Sequence, residues 1–214
     1  MMHIALVDYG SGNLRSVAKA FERAAADLGL AATIAVTDRP EAIAAADRIV
    51  LPGVGAFGDC AAGLGRRPGL RDALSEAAIK KARPFFGICV GMQLMATCGV
   101  EFGRHQGLGW LNGEITPLVP ADPELKLPHM GWNDLTFTGD HALMKGLKSG
   151  THVYFVHSFA WSKARARDIL AEADYGGAFP AMIGCDNLIG TQFHPEKSQA
   201  AGLTLIANFL NWRP

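Results

Sequence analysis

Four short, nearly unbroken apolar runs, "IALVDYG", "ATIAV", "RIVLPG" and "PFFGIC", punctuate the first half of the chain. A strand that alternates apolar and polar residues can leave one face in water, whereas a continuous apolar strand has to be covered on both. Helix-forming stretches separate the runs. Asn13 to Leu28 carries apolar residues at helical spacing, "RPEAIAAAD" has Pro40 where a helix starts, and Pro68 to Lys81 is helical in composition. Strands joined by helices in this way are expected to lie parallel, with helices on both faces of the sheet. The second half changes character: "GWLNGEITPL", "WNDLTF", "HVYFVHSFAW", "ILAEADYG", "PAMIGC" and "LIGTQFHPE" are strand-like pieces joined by turn residues. Several are expected to extend the same sheet in antiparallel fashion, and "SQAAGLTLIANFLNW" has the spacing of a closing helix. With no linker and no internal repeat, the expectation is one mixed α/β domain over residues 1–214.

Composition narrows the function class. The 214 residues carry a formal net charge of zero and no dense Lys/Arg cluster, which argues against nucleic acid or an anionic membrane as the main partner. The N-terminal "MMHIALVDYG" lacks the pattern of a signal peptide, and no apolar run reaches the roughly 20 residues that span a bilayer. The four cysteines (Cys60, Cys89, Cys98, Cys185) are therefore expected to be reduced thiols, and the chain cytoplasmic. No CxxC or HxxxH spacing suggests a metal site.

One cysteine has an unusual setting. In Gly87-Ile88-Cys89-Val90-Gly91 it stands between glycines, after an apolar strand and before a helix-like segment. This is the spacing of a nucleophile elbow, in which a sharp strand-to-helix reversal strains the nucleophile's backbone and leaves no room for neighbouring side chains. A helix N-terminus there would favour thiolate over thiol. A small buried core cysteine is the plainer reading, and it suits Cys60, Cys98 and Cys185 better.

A cysteine nucleophile needs a histidine and often an acid behind it. In "TQFHPEKS" Pro195 is expected to hold the chain extended, so that His194 and Glu196, two residues apart, face one site. The bland alternative is a turn histidine beside a solvated glutamate. His3, His105 and His141 read as surface or turn residues, and His152 and His157 as strand side chains. An oxyanion hole requires backbone donors, for which the Val90 N–H and the glycine loop "LPGVGAF" are candidates. That loop can equally be a tight turn or a phosphate cradle, although neither GxGxxG nor GxxxxGK[ST] occurs. "YGSGN" (9 to 13) can bind an anion at a helix start, or simply turn the chain and cap the helix.

"GICVGMQ" together with "QFHPEKS" resembles the class I, triad-type glutamine amidotransferases, which release ammonia from glutamine. "VDYGSGNLRSV", "LPGVGAFGDC", "LPHMGWN", "YFVHSF" and "GTQFHPEKS" are similar, in order and over essentially the whole chain, to one branch of them: the glutaminase subunits of imidazole glycerol phosphate synthases. The resemblance implies a flavodoxin-like mixed sheet flanked by helices, and no metal or organic cofactor. It implies Cys89 as nucleophile, His194 as general base and acid, and Glu196 as its orienting partner. Gly53, Val54 and Gly55 match the oxyanion loop. Gln93 and Glu101 match positions that hold the glutamine amide and amino groups, and His157, Ser158 and Phe159 match a strand that contacts it through the main chain. Asn13, Met130, Trp132, Tyr154 and Lys197 match positions facing a (β/α)8-barrel cyclase subunit, which forms a heterodimer and receives ammonia through a tunnel for histidine biosynthesis. Two rivals stand beside this reading: a glutaminase serving another synthase, such as anthranilate synthase, and a non-catalytic flavodoxin-like binding module.

Overall fold

The computed structural model describes all residues from Met1 to Pro214. Its strands, in chain order, are β1 (Met2–Val7), β2 (Ala32–Thr37), β3 (Arg48–Gly53), β4 (Phe85–Cys89), β5 (Cys98–Gly99), β6 (His105–Gln106), β7 (Glu114–Pro117), β8 (His129–Phe137), β9 (Thr151–His157), β10 (Phe159–Ser162), β11 (Ile169–Asp174), β12 (Ala178–Cys185) and β13 (Leu188–Thr191). The helices are α1 (Leu14–Asp27), α2 (Pro40–Ala45), α3 (Phe57–Gly65), α4 (Leu70–Ser75), α5 (Val90–Gln93) and α6 (Gln199–Asn211).

Nine strands form one sheet in the order β2-β1-β3-β4-β13-β12-β11-β8-β9. The first five are parallel and the last four run antiparallel to their neighbours, as the change in sequence pattern implied. The parallel part has the flavodoxin-like order, with a switch point between β1 and β3 where successive connections leave in opposite directions. Right-handed crossovers then put α1 on one face and α2, α3 and α4 on the other. β3 and β4 are buried along their whole length, which is why they read as unbroken apolar runs. On the α1 face Phe21, Phe86 and Phe209 meet, with Phe21 and Phe209 edge-on at 6.1 Å, locking α1 to α6 over the sheet. Truncating such a buried phenylalanine to alanine typically costs about 3–5 kcal/mol.

Three local expectations are corrected. The helix read from Pro68 to Lys81 is α4 followed by one wider π-type turn at Glu76–Lys80. Asn13 begins α1 without any side-chain capping bond. "HVYFVHSFAW" is not one strand: β9 pairs with β8 in the main sheet, and after Ser158 the chain passes to β10, which pairs with β7 in a separate four-stranded sheet ordered β10-β7-β5-β6. That break puts residues 157–159 at a junction between sheets instead of in the middle of one.

Candidate active site

β3, β4 and β13 are adjacent and parallel, so their carboxyl ends bring three separate sequence segments together. Cys89 ends β4 with φ 54° and ψ −113°, a conformation costly for a residue with a Cβ. The flanking glycines are needed for packing. A Cβ on Gly91 would lie 1.7 Å from the Leu51 carbonyl oxygen, and one on Gly87 would lie 2.6 Å from that of Gly91. The chain thus reverses against the neighbouring strand and lifts Cys89 to the wall of a cavity of about 230 Å3. Val54, Gly55, Val90, Gln93, Glu101, His157, Ser158, Phe159 and His194 share that wall, a size suited to a small ligand.

His194 follows β13. Its backbone is tied down on both sides, its N–H donating to Tyr154 O (2.9 Å) and its carbonyl accepting from Ser198 Oγ (2.7 Å). His194 Nδ1 and Glu196 Oε1 are 2.8 Å apart and both side chains are buried. They meet for a different reason from the one expected: Pro195–Lys197 is a single 3-10 turn instead of extended chain, and it folds the carboxylate back under the ring. Burial works against a charged imidazole here, yet the neighbouring Cys89 sulfur and Glu196 carboxylate outweigh it and lift His194 to about 10. Nε2, buried and without a hydrogen-bond partner, is left for the sulfur or a bound ligand.

A second histidine on the same wall behaves oppositely. His157 Nδ1 lies 3.0 Å from Phe159 O, an acceptor only, so Nδ1 carries the proton and Nε2 accepts. His129 Nδ1 then donates to that Nε2 at 3.0 Å, and Asn133 Nδ2 donates to His129 Nε2 at 3.3 Å. Both rings are held neutral, chiefly by burial, each at about 4. The expected strand histidine is therefore part of a directed network, and its partner His129, inside the "LPHMGWN" motif, is given no role by the sequence alone.

Phe159 O also accepts from Gln93 Nε2 (3.1 Å), so both its lone pairs are taken within the chain. A main-chain contact from residues 157–159 to a ligand has to use a different atom. Glu101 lines the cavity and accepts the Phe57 N–H at 2.8 Å, which fixes its carboxylate at the start of α3. The oxyanion loop departs from expectation. Val54 donates its N–H to Ser11 Oγ (3.1 Å), and its carbonyl accepts from the same hydroxyl (2.5 Å), so this donor is turned away from the cavity. Gly53 lies behind the wall, packed against Tyr9 and Gly91, while Gly55 lines the wall at φ 98°.

Of the residues expected to face a partner, four cluster. Trp132 and Tyr154 are cross-strand neighbours on β8 and β9 with rings 6.0 Å apart, Lys197 Nζ stands 5.5 Å over the Tyr154 ring, and Met130 is 62% exposed on the same face as Trp132. Met130 pairs with Val156, which lines the cavity, so the apolar patch runs up to the site. Asn13 stands on the loop between β1 and α1, two residues from the Ser11–Val54 contact.

Residues 5–212 match the family profile described as glutamine amidotransferase class-I. Over its full length the chain is 62% identical to the imidazole glycerol phosphate synthase subunit HisH of Rhodospirillum rubrum, with all of both chains covered. The subunit of the same name from Agrobacterium fabrum is 55% identical, again with complete coverage of both. Among solved structures, one described as a glutamine amidotransferase superposes with a TM-score of 0.70 at 20% identity over 97% of each chain. A glutamine amidotransferase from Thermotoga maritima gives 0.58 at 16%, over 91% of this chain and 76% of that one. At those identities the superpositions speak for the fold alone.

Proposed function

The chain belongs to the class-I glutamine amidotransferase family, and from that premise we propose that it is the glutaminase subunit of an imidazole glycerol phosphate synthase, with residues 1–214 forming one amidotransferase domain. The observation that carries the reading is the Cys89 turn facing a buried, charge-stabilised His194–Glu196 pair across a cavity of about 230 Å3. Cys89 attacks the side-chain amide carbon of glutamine. The Val90 N–H receives the oxyanion, and the loop at Gly53, Val54 and Gly55 adds the Val54 N–H once that donor has turned from Ser11 to the cavity. His194 gives its proton to the departing ammonia, then activates the water that releases glutamate from the thioester, and Glu196 holds the ring in place throughout. Gln93 and Glu101 hold the glutamine amide and amino groups, with Gln93 offering an acceptor oxygen because both its N–H groups are engaged.

A HisH-like chain implies a synthase partner. We place that partner, a (β/α)8 barrel, on the face of Met130, Trp132, Tyr154, Lys197 and Asn13, where the apolar surface abutting the cavity gives uncharged ammonia a path out of water. No helix is long and apolar enough to cross a membrane and all four cysteines are free, in keeping with a cytoplasmic setting. Co-purification with candidate barrel proteins, followed by assay of glutamate release from glutamine, tests the proposal. Co-elution with a different synthase would redirect the assignment to another branch. Failure of any complex to release glutamate would leave a binding module.

A further inference from the structure

We propose that Gln192 is a positioning residue of this site: its side-chain amide sets the orientation of Gln93 and at the same time donates a hydrogen bond to the Cys89 sulfur. β13 and β4 are paired in parallel with Thr191 opposite Ile88, so the next step along each strand sets Gln192 beside Cys89. The side chain is completely buried. Burying a primary amide is costly unless its donors and acceptor are used, and a methionine or leucine would fill the same volume without that cost.

The amide's orientation is determined by a fixed point in the backbone. Phe159 O can only accept, so Gln93 must turn its NH2 toward it (3.1 Å). The same NH2 meets Gln192 at 3.0 Å, and therefore meets Oε1. That leaves Gln192 Nε2 facing Cys89 Sγ, at 3.7 Å. Turning either amide over would set donor against donor or oxygen against oxygen in a dry core. The arrangement has two consequences at once. Gln93, with both N–H groups engaged behind it, presents its carbonyl oxygen to the cavity, where it accepts from an N–H of the bound amino acid. Cys89 receives an N–H donor on the side away from the cavity, one that strengthens as the sulfur takes on negative charge. The second consequence bears on the nucleophile whatever the substrate, while the first rests on the glutaminase reading.

Two variants separate these roles. Gln192→Met keeps the volume and removes both hydrogen bonds, whereas Gln192→Glu keeps an oxygen for Gln93 and replaces the donor at sulfur with a second acceptor. Each is made in the full chain, checked by thermal midpoint and partner co-elution, and assayed in two ways: the pH profile of Cys89 alkylation by iodoacetamide, located by peptide mapping, and kcat and KM for glutamate release in the complex. A hydrogen bond to a charged group changes an equilibrium by about ten- to a hundredfold. Gln192→Met is expected to slow alkylation at neutral pH by about tenfold or more, to move its profile to higher pH, and to raise KM while lowering kcat. Gln192→Glu is expected to show the same alkylation defect with KM within about twofold of the parent. A folded Gln192→Met chain with the parent's alkylation profile and kinetics would overturn the proposal, and equal KM increases in both variants would overturn the part concerning Gln93. Should Gln192→Met not fold, an unchanged alkylation profile in Gln192→Glu is decisive against the sulfur contact. If the parent complex releases no glutamate the glutaminase reading falls, and the alkylation arm still decides whether Gln192 acts on Cys89.

Discussion

On the wall built from β4 and the segment after β13, Cys89, His194, Glu196 and Gln192 are held in the core by hydrogen bonds to fixed partners, while on the wall built from the loop after β3 the Val54 N–H is turned to Ser11, with the valine side chain 43% exposed. The first wall is set by strand register, which cannot slip without moving the whole parallel sheet. The second sits on a loop leaving the switch point between β1 and β3, where the hydroxyl of one serine bonds the N–H and the carbonyl of Val54. On the proposed reading, charge is generated by rigid parts and stabilised by an adjustable one. Cys89 and His194 are already in place, whereas the Val54 donor faces away from the cavity, and a missing oxyanion donor typically costs ~10²–10³ in rate.

The largest expected effect tests the rigid wall. Cys89→Ala should reduce glutamine-dependent synthesis by the complex at least about a thousandfold. Synthesis from added ammonium salt should be retained, because the synthase partner needs only ammonia. Loss of both activities would show that Cys89 holds the structure together and does not perform the chemistry.

Glu196→Gln should cost about 10²–10⁴ in glutamate release, the range that a correctly held acid–base group contributes. It should also change how stability depends on pH. His194 is lifted from 6.5 to about 10 in the folded chain. Its contribution to stability is thus complete below about pH 6.5 and is lost as pH rises through about 10. Thermal midpoints between pH 6 and 10 should fall more steeply for the parent than for Glu196→Gln. His129 and His157, lowered to about 4, act in the opposite sense on the acid side, losing stability as pH falls from about 6.5, and they do so equally in both proteins. Parallel curves across the alkaline range would mean that the carboxylate does not support the imidazolium.

The contrast between walls also separates what is legible in the sequence from what is not. β3 and β4 announce themselves because burial on both faces leaves them apolar apart from Arg48 at the start of β3, and "GICVG" does so because Gly87 and Gly91 stand where any Cβ would strike backbone. α3 is silent. Its glycines look like a loop, but a Cβ on Gly63 would lie 2.7 Å from the Tyr9 carbonyl oxygen and one on Gly58 would strike His105, so packing, not turning, demands them. Gln192 falls inside the "QFHPEKS" motif, but nothing in the sequence shows what it touches, since its contact is with a residue 103 positions away. Val54 is legible as a residue and not as a conformation: a glycine on each side permits either peptide orientation, and the side chains that meet it, Ser11 and Cys60, come from elsewhere in the sequence.

The adjustable wall should respond to the partner. Glutamate release is expected to rise at least about tenfold, about 1.4 kcal/mol of transition-state stabilisation, when the synthase partner and its ligand are both added. Gly55→Val should blunt the rise without preventing assembly. A Cβ at Gly55 meets nothing within 4 Å in the chain itself, so the effect expected within the chain comes from its φ of 98°, which a β-branched residue resists. Equal rates for the free chain and the liganded complex would remove the switch and leave the triad untouched.

The smallest effect addresses the contact that distinguishes the two walls. The Ser11 hydroxyl donates to Val54 O at 2.5 Å and accepts from Val54 N at 3.1 Å, so one side chain satisfies both ends of the residue whose N–H the proposed mechanism needs at the cavity. Cys60 Sγ, 3.5 Å from Val54 O, is the other side chain bonded to that carbonyl, and a thiol is a weak donor. Ser11→Ala removes the serine bonds to the two peptide groups that flank the Val54 Cα and touches nothing in the triad, while water can replace much of what is lost on a half-exposed loop. A net hydrogen bond is worth roughly 0.5–1.5 kcal/mol, so the free chain should release glutamate roughly two- to tenfold faster. The rate of the liganded complex should not change, because there the peptide has already turned, and the activation ratio should therefore shrink by the same factor. Asn13 lies two residues further along the same loop, so a partner seated on it can draw Ser11 away from Val54 and do reversibly what the substitution does permanently. An unaltered free-chain rate in Ser11→Ala, with normal activation by the partner, would show that the serine merely accompanies the outward peptide and does not hold it there.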